Sequence, residues 1–291
     1  MRKFQWFIVV VLSVLGVSSG LAAGNSIQIK GSDTMVNLGQ AWAEAYMGKH
    51  PDAFVAVTGG GSGTGIAALL SGTCDIAESS RSIKKEEINQ AKAKGITPTE
   101  FIVGLDGLAV VVNPANPVSQ LTVDQLADIF TGKIRNWKEV GGRDLSIVLL
   151  SREVNSGTHV YFKEHVLRKG DVQSTVVRPG SPQVEFAPEA LLMSSSQAIA
   201  DEISQNTGAI GYYGMGYVNQ TQKAVAVAKD NAGPYYTPTL DNVVSGQYYI
   251  SRPLIFYTNG QPQGALKDII DFVFSPEGQQ IVKDTDFVPV K

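Results

Sequence analysis

Apolar and polar residues alternate from Ser26 to Lys30, with Ile27 and Ile29 on one side, which predicts a β-strand. After Gly31-Ser32-Asp33-Thr34, the apolar positions from Met35 to Tyr46 fall at helical spacing, and Ser32 or Asp33 is placed to cap that helix. A second strand, Ala53 to Thr58, runs into Gly59-Gly60-Gly61-Ser62-Gly63-Thr64-Gly65, and Ile66 to Leu70 opens a second helix. A short strand around Asp75 to Ala77 leads through Glu78-Ser79-Ser80-Arg81 to a charged helix over Lys84 to Lys94. Strand, loop and helix thus recur three times, a pattern that predicts a parallel sheet flanked by helices.

Farther along, Thr99 to Leu105 and Leu108 to Val112 read as strands, and Asn113-Pro114-Ala115-Asn116-Pro117 is a Pro-rich exit suited to a crossover between domains. A helix is expected over Val123 to Phe130 and a turn around Gly132 to Trp137. The strand Ser146 to Leu150 precedes Ser151-Arg152-Glu153-Val154-Asn155-Ser156-Gly157-Thr158 and a helix over Thr158 to Val166. Ala209 to Tyr213 and Leu254 to Tyr257 are further strands, and Ala265 to Phe274 and Glu277 to Lys283 are helices. The reading is two α/β lobes, in keeping with 291 residues at roughly 150 per domain.

The first residues have a different character. Met1-Arg2-Lys3 is basic, Phe4 to Val17 is almost uninterruptedly apolar, and Ser18 to Ala23 are mostly small, the layout of a secretory signal peptide cleaved near Ala22 or Ala23. The apolar run of about fourteen residues is shorter than the roughly twenty that span a bilayer. No Cys stands at the cleavage region, so a lipid anchor is not expected. Loss of Arg2 and Lys3 leaves 22 basic residues against 27 acidic ones, a net charge of −5, which argues against a nucleic-acid partner. The single cysteine, Cys74, excludes an internal disulfide and any CxxC metal knuckle, and is most simply a buried small hydrophobe. No metal or cofactor is expected.

Three loops share one design: Gly31-Ser32-Asp33-Thr34, Gly61-Ser62-Gly63-Thr64 and Ser156-Gly157-Thr158 each set small hydroxyl and glycine residues at a helix start, just after a strand. Backbone N–H groups, the positive end of the helix dipole and Ser/Thr hydroxyls then converge on one point, which suits a small oxyanion. Any one such loop is ordinary capping and turn chemistry. Three in one exported chain, one accompanied by Arg152, favour a ligand. Ile66 stands where a Walker-type loop needs Lys, so that phosphate loop is excluded, and a dinucleotide fingerprint is disfavoured because the glycines follow the second strand. Gly60-Gly61-Ser62-Gly63-Thr64 fails as a serine-hydrolase elbow because its last position is Thr64, and His50, His159 and His165 read as surface or capping residues. The pairs Tyr212-Tyr213, Tyr235-Tyr236 and Tyr248-Tyr249 suggest an adhesion surface, although one buried and one rim ring per pair is the commoner arrangement.

Lys30-Gly31-Ser32-Asp33-Thr34, Gly60 to Gly65, Asp75 to Arg81, Gly132 to Trp137 and Arg152 with Ser156-Gly157-Thr158 together resemble the phosphate-binding protein of the phosphate-specific ABC transporter, the PstS type. The resemblance implies an α/β, two-lobed periplasmic-binding-protein fold (type II), each lobe a mostly parallel sheet flanked by helices. It implies a signal peptide over 1–23, one lobe from 24–112 plus 247–291, and a second from 113–246. It further implies a monomeric, non-enzymatic periplasmic receptor that takes inorganic phosphate and delivers it to ABC permease subunits. Another tetrahedral oxyanion such as sulfate, or an exported serine hydrolase, is the alternative.

Carried over by position, the ligand set is Ser32, Thr34, Met35, Ser62, Ser80, Arg81, Arg152, Ser156, Gly157 and Thr158. Arg152 would bring a forked guanidinium to two oxygens, against the blander alternative of a surface ion pair with Glu153 or Glu164. Many relatives carry Asp where Ser80 stands, to accept the proton of hydrogen phosphate. The Ser80 hydroxyl is one acceptor in its place and Asp106 another, with Asp33, more simply a cap, and Glu78, more simply solvated, as further candidates.

Overall fold

A computed structural model describes residues 25–169 and 184–290, so the expected signal peptide lies outside the described residues. Eleven strands are assigned among these residues: β1 Asn25–Gly31, β2 Ala53–Thr58, β3 Ile76–Ser79, β4 Pro98–Val112, β5 Gln120–Thr122, β6 Val148–Arg152, β7 Leu191–Met193, β8 Ala209–Gly214, β9 Lys223–Ala224, β10 Ala226–Ala228 and β11 Ser251–Asn259. The α-helices are α1 Val36–Lys49, α2 Ser62–Ser71, α3 Lys85–Ala93, α4 Val123–Phe130, α5 Gly157–Phe162, α6 Ser196–Gln205, α7 Leu240–Val244, α8 Ala265–Val273 and α9 Pro276–Asp284. No helix among the described residues is long and apolar enough to cross a membrane.

The main sheet runs β2-β1-β3-β11-β4-β8-β6-β7, with β9 added to β4. Its two flanks are parallel, as the βα alternation predicts: β1 pairs with β2 and β3, and β6 with β7 and β8. The middle is antiparallel, because β11 returns between β3 and β4, and β4 then pairs with β8. The segments expected as two strands, Thr99–Leu105 and Leu108–Val112, are one strand of 15 residues. Its first part, through Gly107, pairs with β11, and Leu108 to Val112 pair with β8. The passage between the two halves of the sheet is therefore made inside β4, ahead of the Pro-rich segment 113–117.

Local chemistry accounts for the helix bounds. Thr122 accepts from the Gln125 N–H at 3.1 Å while the Gln125 side chain accepts from the Thr122 N–H at 2.9 Å, a reciprocal cap that starts α4. Ser275 caps α9 by accepting from Gly278 N at 3.1 Å, with Pro276 in the first turn. The apolar face of α1, Leu38, Trp42 and Tyr46, is buried on the sheet, and Trp42 Nε1 donates to Gly278 O of α9 at 2.7 Å. Cys74 is buried, as expected, and burial pushes its thiol up to about 12. Tyr212 and Tyr213 are both buried, against the expectation of one rim ring, because β8 is an interior strand covered on both faces.

Helix α2 lies so close to β1 that a Cβ on Gly65 would stand 2.6 Å from the Gly31 Cα and nearer still to the Lys30 carbonyl. Both obstacles are backbone and cannot rotate away. Gly65→Ala is expected to destabilise the fold by about 1–3 kcal/mol, read as a lower urea midpoint with an unchanged m-value.

Candidate functional site

The starts of α1, α2 and α5 meet between the two halves of the sheet. Ser32, Thr34, Ser62, Ser80, Ser156 and Thr158 are all buried there, although each is polar. Ser32 Oγ donates to Ser80 Oγ at 2.9 Å, and the Ser80 N–H donates to Ser62 Oγ at 3.0 Å. Thr34 and Thr158, from opposite halves, place their hydroxyl oxygens 2.9 Å apart. A Cβ on Gly157 would meet Ser80 Oγ at 2.7 Å and Ser62 Oγ closer still, so the second half approaches this hydroxyl cluster with backbone alone.

Each loop is held by its own backbone. The Ser32 N–H donates to Glu78 O at 2.8 Å and the Gly61 N–H to Gly31 O at 2.7 Å, which ties the first two loops together. Gly61 has φ +94°, a conformation that favours glycine, and it turns the chain so that α2 begins at Ser62. Ser156 caps α5 through its hydroxyl, which accepts from Thr158 N at 3.2 Å and His159 N at 3.4 Å. The halves are joined at the rim as well: Asn155 Nδ2 donates to Gly60 O at 2.7 Å, and Gly63 N donates to Asn155 O at 3.0 Å.

The capping expected of Ser32 and Asp33 is not made. A short 3-10 turn, Asp33–Met35, precedes α1; Ser32 bonds Ser80 instead, and the Asp33 carboxylate reaches across to Ser196 N at 2.8 Å and Arg152 Nη2 at 3.3 Å. Tyr217 donates to the Asp33 carbonyl at 2.8 Å. The Met35 N–H is engaged by Ser32 O at 2.9 Å, and the Met35 side chain is buried.

Arg152 is neither a surface residue nor paired with Glu153 or Glu164. It is 1% exposed, and besides Asp33 it donates to Ser196 Oγ at 3.0 Å, Ser194 O at 3.0 Å and Met193 O at 3.3 Å. Burial lowers its pKa, and the Asp33 carboxylate opposes that shift. Arg81, adjoining Ser80, makes a two-pronged pair with Glu87 at 2.8 and 2.7 Å, which also lowers the pKa of Glu87 against the effect of burial.

Asp106 is completely buried, with Oδ1 accepting from Met215 N at 3.0 Å and Oδ2 paired with Arg252 at 2.8 Å. Arg252 was not singled out by the sequence patterns. Its Nη2 donates to Thr158 Oγ1 at 3.0 Å and lies 3.4 Å from Thr34 Oγ1, so it stands at the floor of the cluster. A legible signal exists: both residues are charges inside apolar strands, Asp106 between Leu105 and Leu108, Arg252 between Ile250 and Leu254.

Glu78 is not solvated. It is fully buried beside Gly39, with no hydrogen-bond partner at either carboxyl oxygen, and burial holds its carboxyl well above the usual carboxylate range. His159 is likewise buried, beside Ser151 Oγ at 3.3 Å and against the Phe186 ring, and burial brings its pKa down to about 4. His50 closes α1 and stacks on Tyr46. Ser62 Oγ accepts from the Ser80 N–H at 3.0 Å and lies 3.4 Å from Ser80 Oγ.

The sequence profile of the PBP superfamily domain matches residues 17–277. The phosphate-binding protein PstS of Bacillus subtilis is 34% identical over 269 residues, 92% of this chain and 82% of that one. A crystal structure, with bound phosphate, of the Clostridium perfringens protein assigned as a phosphate ABC transporter substrate-binding protein superposes with a TM-score of 0.79 at 34% identity, covering 92% of this chain and 100% of that one. An ABC-type phosphate transport receptor from Vibrio cholerae gives 0.69 at 32% identity over 91% of this chain and 99% of that one.

A carboxyl whose folded pKa is raised contributes stability that is present below its unfolded value, about 4.3, and is lost as pH rises through the raised value. Within that window each pH unit removes about 1.4 kcal/mol. Glu78→Gln removes this titration, so its stability relative to the unmutated protein is expected to rise with pH above about 4.3, until the raised value is passed, in urea unfolding from pH 4 to pH 8. A constant difference across that range would contradict the buried neutral carboxyl.

Proposed function

Because this chain belongs to the PBP superfamily, and within it to the phosphate-binding proteins of the PstS type, we propose that it is an extracytoplasmic receptor that captures inorganic phosphate between its two lobes and presents it to an ABC permease. The observation that carries this reading is the convergence of buried Ser32, Ser62 and Ser80 from one lobe with Thr158 and the bare backbone of Gly157 from the other. A tetrahedral anion with several oxygens needs many short donors arriving from different directions, and hydroxyls at helix starts supply them. Hydroxyls also accept, so the Ser32–Ser80–Ser62 chain suits an anion that still carries a proton even though no carboxylate stands at position 80.

The remaining residues act around that centre. Thr34 and Ser156 complete the donor set, and Met35 fills space beneath it. Arg152 works from behind, holding Asp33 and with it the Thr34 turn against the second lobe. Arg81, fixed by Glu87, adds positive charge beside Gly63. The lobes divide where β4 passes Gly107, with β11 bringing the chain back to the first lobe. The family is one of substrate-binding receptors, and the chain acts as a receptor with no turnover, as a monomer in the periplasm after loss of its leader and without a lipid anchor.

Closure of the lobes on the ligand is a hinge motion about the two crossing strands. Isothermal titration with phosphate, arsenate and sulfate tests the assignment: phosphate is expected to bind in the micromolar range or tighter, near −8 kcal/mol or beyond, with sulfate much weaker. Absence of heat with phosphate overturns the reading. Gly157→Ala places a methyl against Ser62 and Ser80 and is expected to weaken phosphate at least tenfold. Thr158→Ala, which removes a hydroxyl facing the anion, is expected to cost about 1.5–3 kcal/mol of binding.

A further inference from the structure

Two guanidinium nitrogens are buried without a hydrogen-bond partner among the described residues, Arg81 Nε and Arg252 Nη1, and only Arg252 also bonds hydroxyls that come from both halves of the sheet. Its side chain is fully buried, and its Nε and Nη2 both donate to Asp106 Oδ2, at 2.9 and 2.8 Å. Nη2 also reaches the two threonine hydroxyls that come from opposite lobes. Nη1 is buried with no hydrogen-bond partner. A charged donor left unsatisfied away from water is unfavourable, and native structures rarely keep one without a use. The Tyr161 ring, 5.6 Å from the Arg252 Cζ, covers the guanidinium, and the Tyr161 hydroxyl donates to Ser251 O, which fixes that cover in place.

We infer that Arg252 is an anion-binding residue of this site: one edge of its guanidinium is held by Asp106, and Nη1 donates to an oxygen of the bound phosphate. The inference rests on the receptor reading above and adds to it the cation that faces the ligand. The donors of Arg152 are largely taken up by Ser194, Ser196, Met193 and Asp33, whereas those of Nη1 are not. The planar fork matters, because a lysine ammonium serves Asp106 as a point charge and cannot at the same time present a second, fixed donor. Asp106 is the counter-charge that allows the arginine to sit buried before any ligand arrives.

The test is phosphate titration calorimetry on the full-length protein, on Arg252→Lys, and on the double variant Arg252→Gln with Asp106→Asn, which leaves no buried charge uncompensated. Circular dichroism and urea unfolding establish that each variant is folded. Phosphate affinity is expected to fall at least tenfold in Arg252→Lys and at least thirtyfold in the double variant. Affinity within twofold of the unmutated protein, with only the unfolding midpoint lowered, makes Arg252 structural and overturns the inference. Failure of the unmutated protein to bind phosphate overturns the receptor reading instead, and the same comparison is then made with whichever of arsenate or sulfate it does bind; if neither binds, both fall. The NMR signals of the Arg252 guanidinium in the unmutated protein provide a readout that needs no variant to fold: they are expected to shift on phosphate addition, and unmoved signals at saturation overturn the inference.

Discussion

Asp106 and Arg252 face each other on neighbouring strands with neither side chain reaching solvent, and the surrounding chain is built so that two desolvated charges are tolerated there. Removing ions from water costs several kcal/mol each, and the attraction between them compensates only when their remaining donors and acceptors are also met. Met215 N, Thr34 and Thr158 meet most of them. The pair therefore fixes the register of β4 against β11 at the point where the chain passes between lobes. Both strands must keep that alignment whatever the lobes do, because separating the charges would strand each in a dry interior.

Above this fixed floor, the contact surfaces of the two lobes are made almost entirely of hydroxyls, backbone and glycine. Small groups of this kind let helices approach to hydrogen-bond distance, and at the hydroxyl cluster each of them is neutral. The charges at this junction are paired: Arg152 with Asp33 across the two halves, and Arg81 with Glu87 beside the first loops. An overall negative charge is compatible with such a site, since the local dipoles need no attractive field over the surface.

Much of the fold was legible because strands and helices announce themselves within a few residues. The alternation at Ile27 and Ile29, the apolar run of β2 and the spacing in α4 are local patterns, and they led to the observed elements. The three loops were legible for the same reason, as short runs of hydroxyls and glycines at strand-to-helix junctions. What stayed hidden depends on distance. Arg252 and Asp106 are 146 positions apart, and no window of sequence shows that one answers the other. The interruption of apolar residues at Asp106-Gly107 even made a single strand look like two. Asp33 and His159 were misjudged alike: a capping residue and a surface histidine by local rule, they are an interlobe contact and a buried ring because of partners on distant elements.

The placement of β11 between β3 and β4 also has a kinetic side. Until that strand arrives, β3 lies at an unfinished sheet edge and α1 lacks its packing partner in α9, to which Trp42 is joined across 236 positions. Contacts between segments so far apart must wait for a large loop to close, which slows folding relative to a protein built from neighbours. The first lobe is thus the last to be completed, although most of its strands are the first to be made. A growing chain of this design remains unable to lock itself shut, and so stays open to being threaded or escorted until its later segment is present.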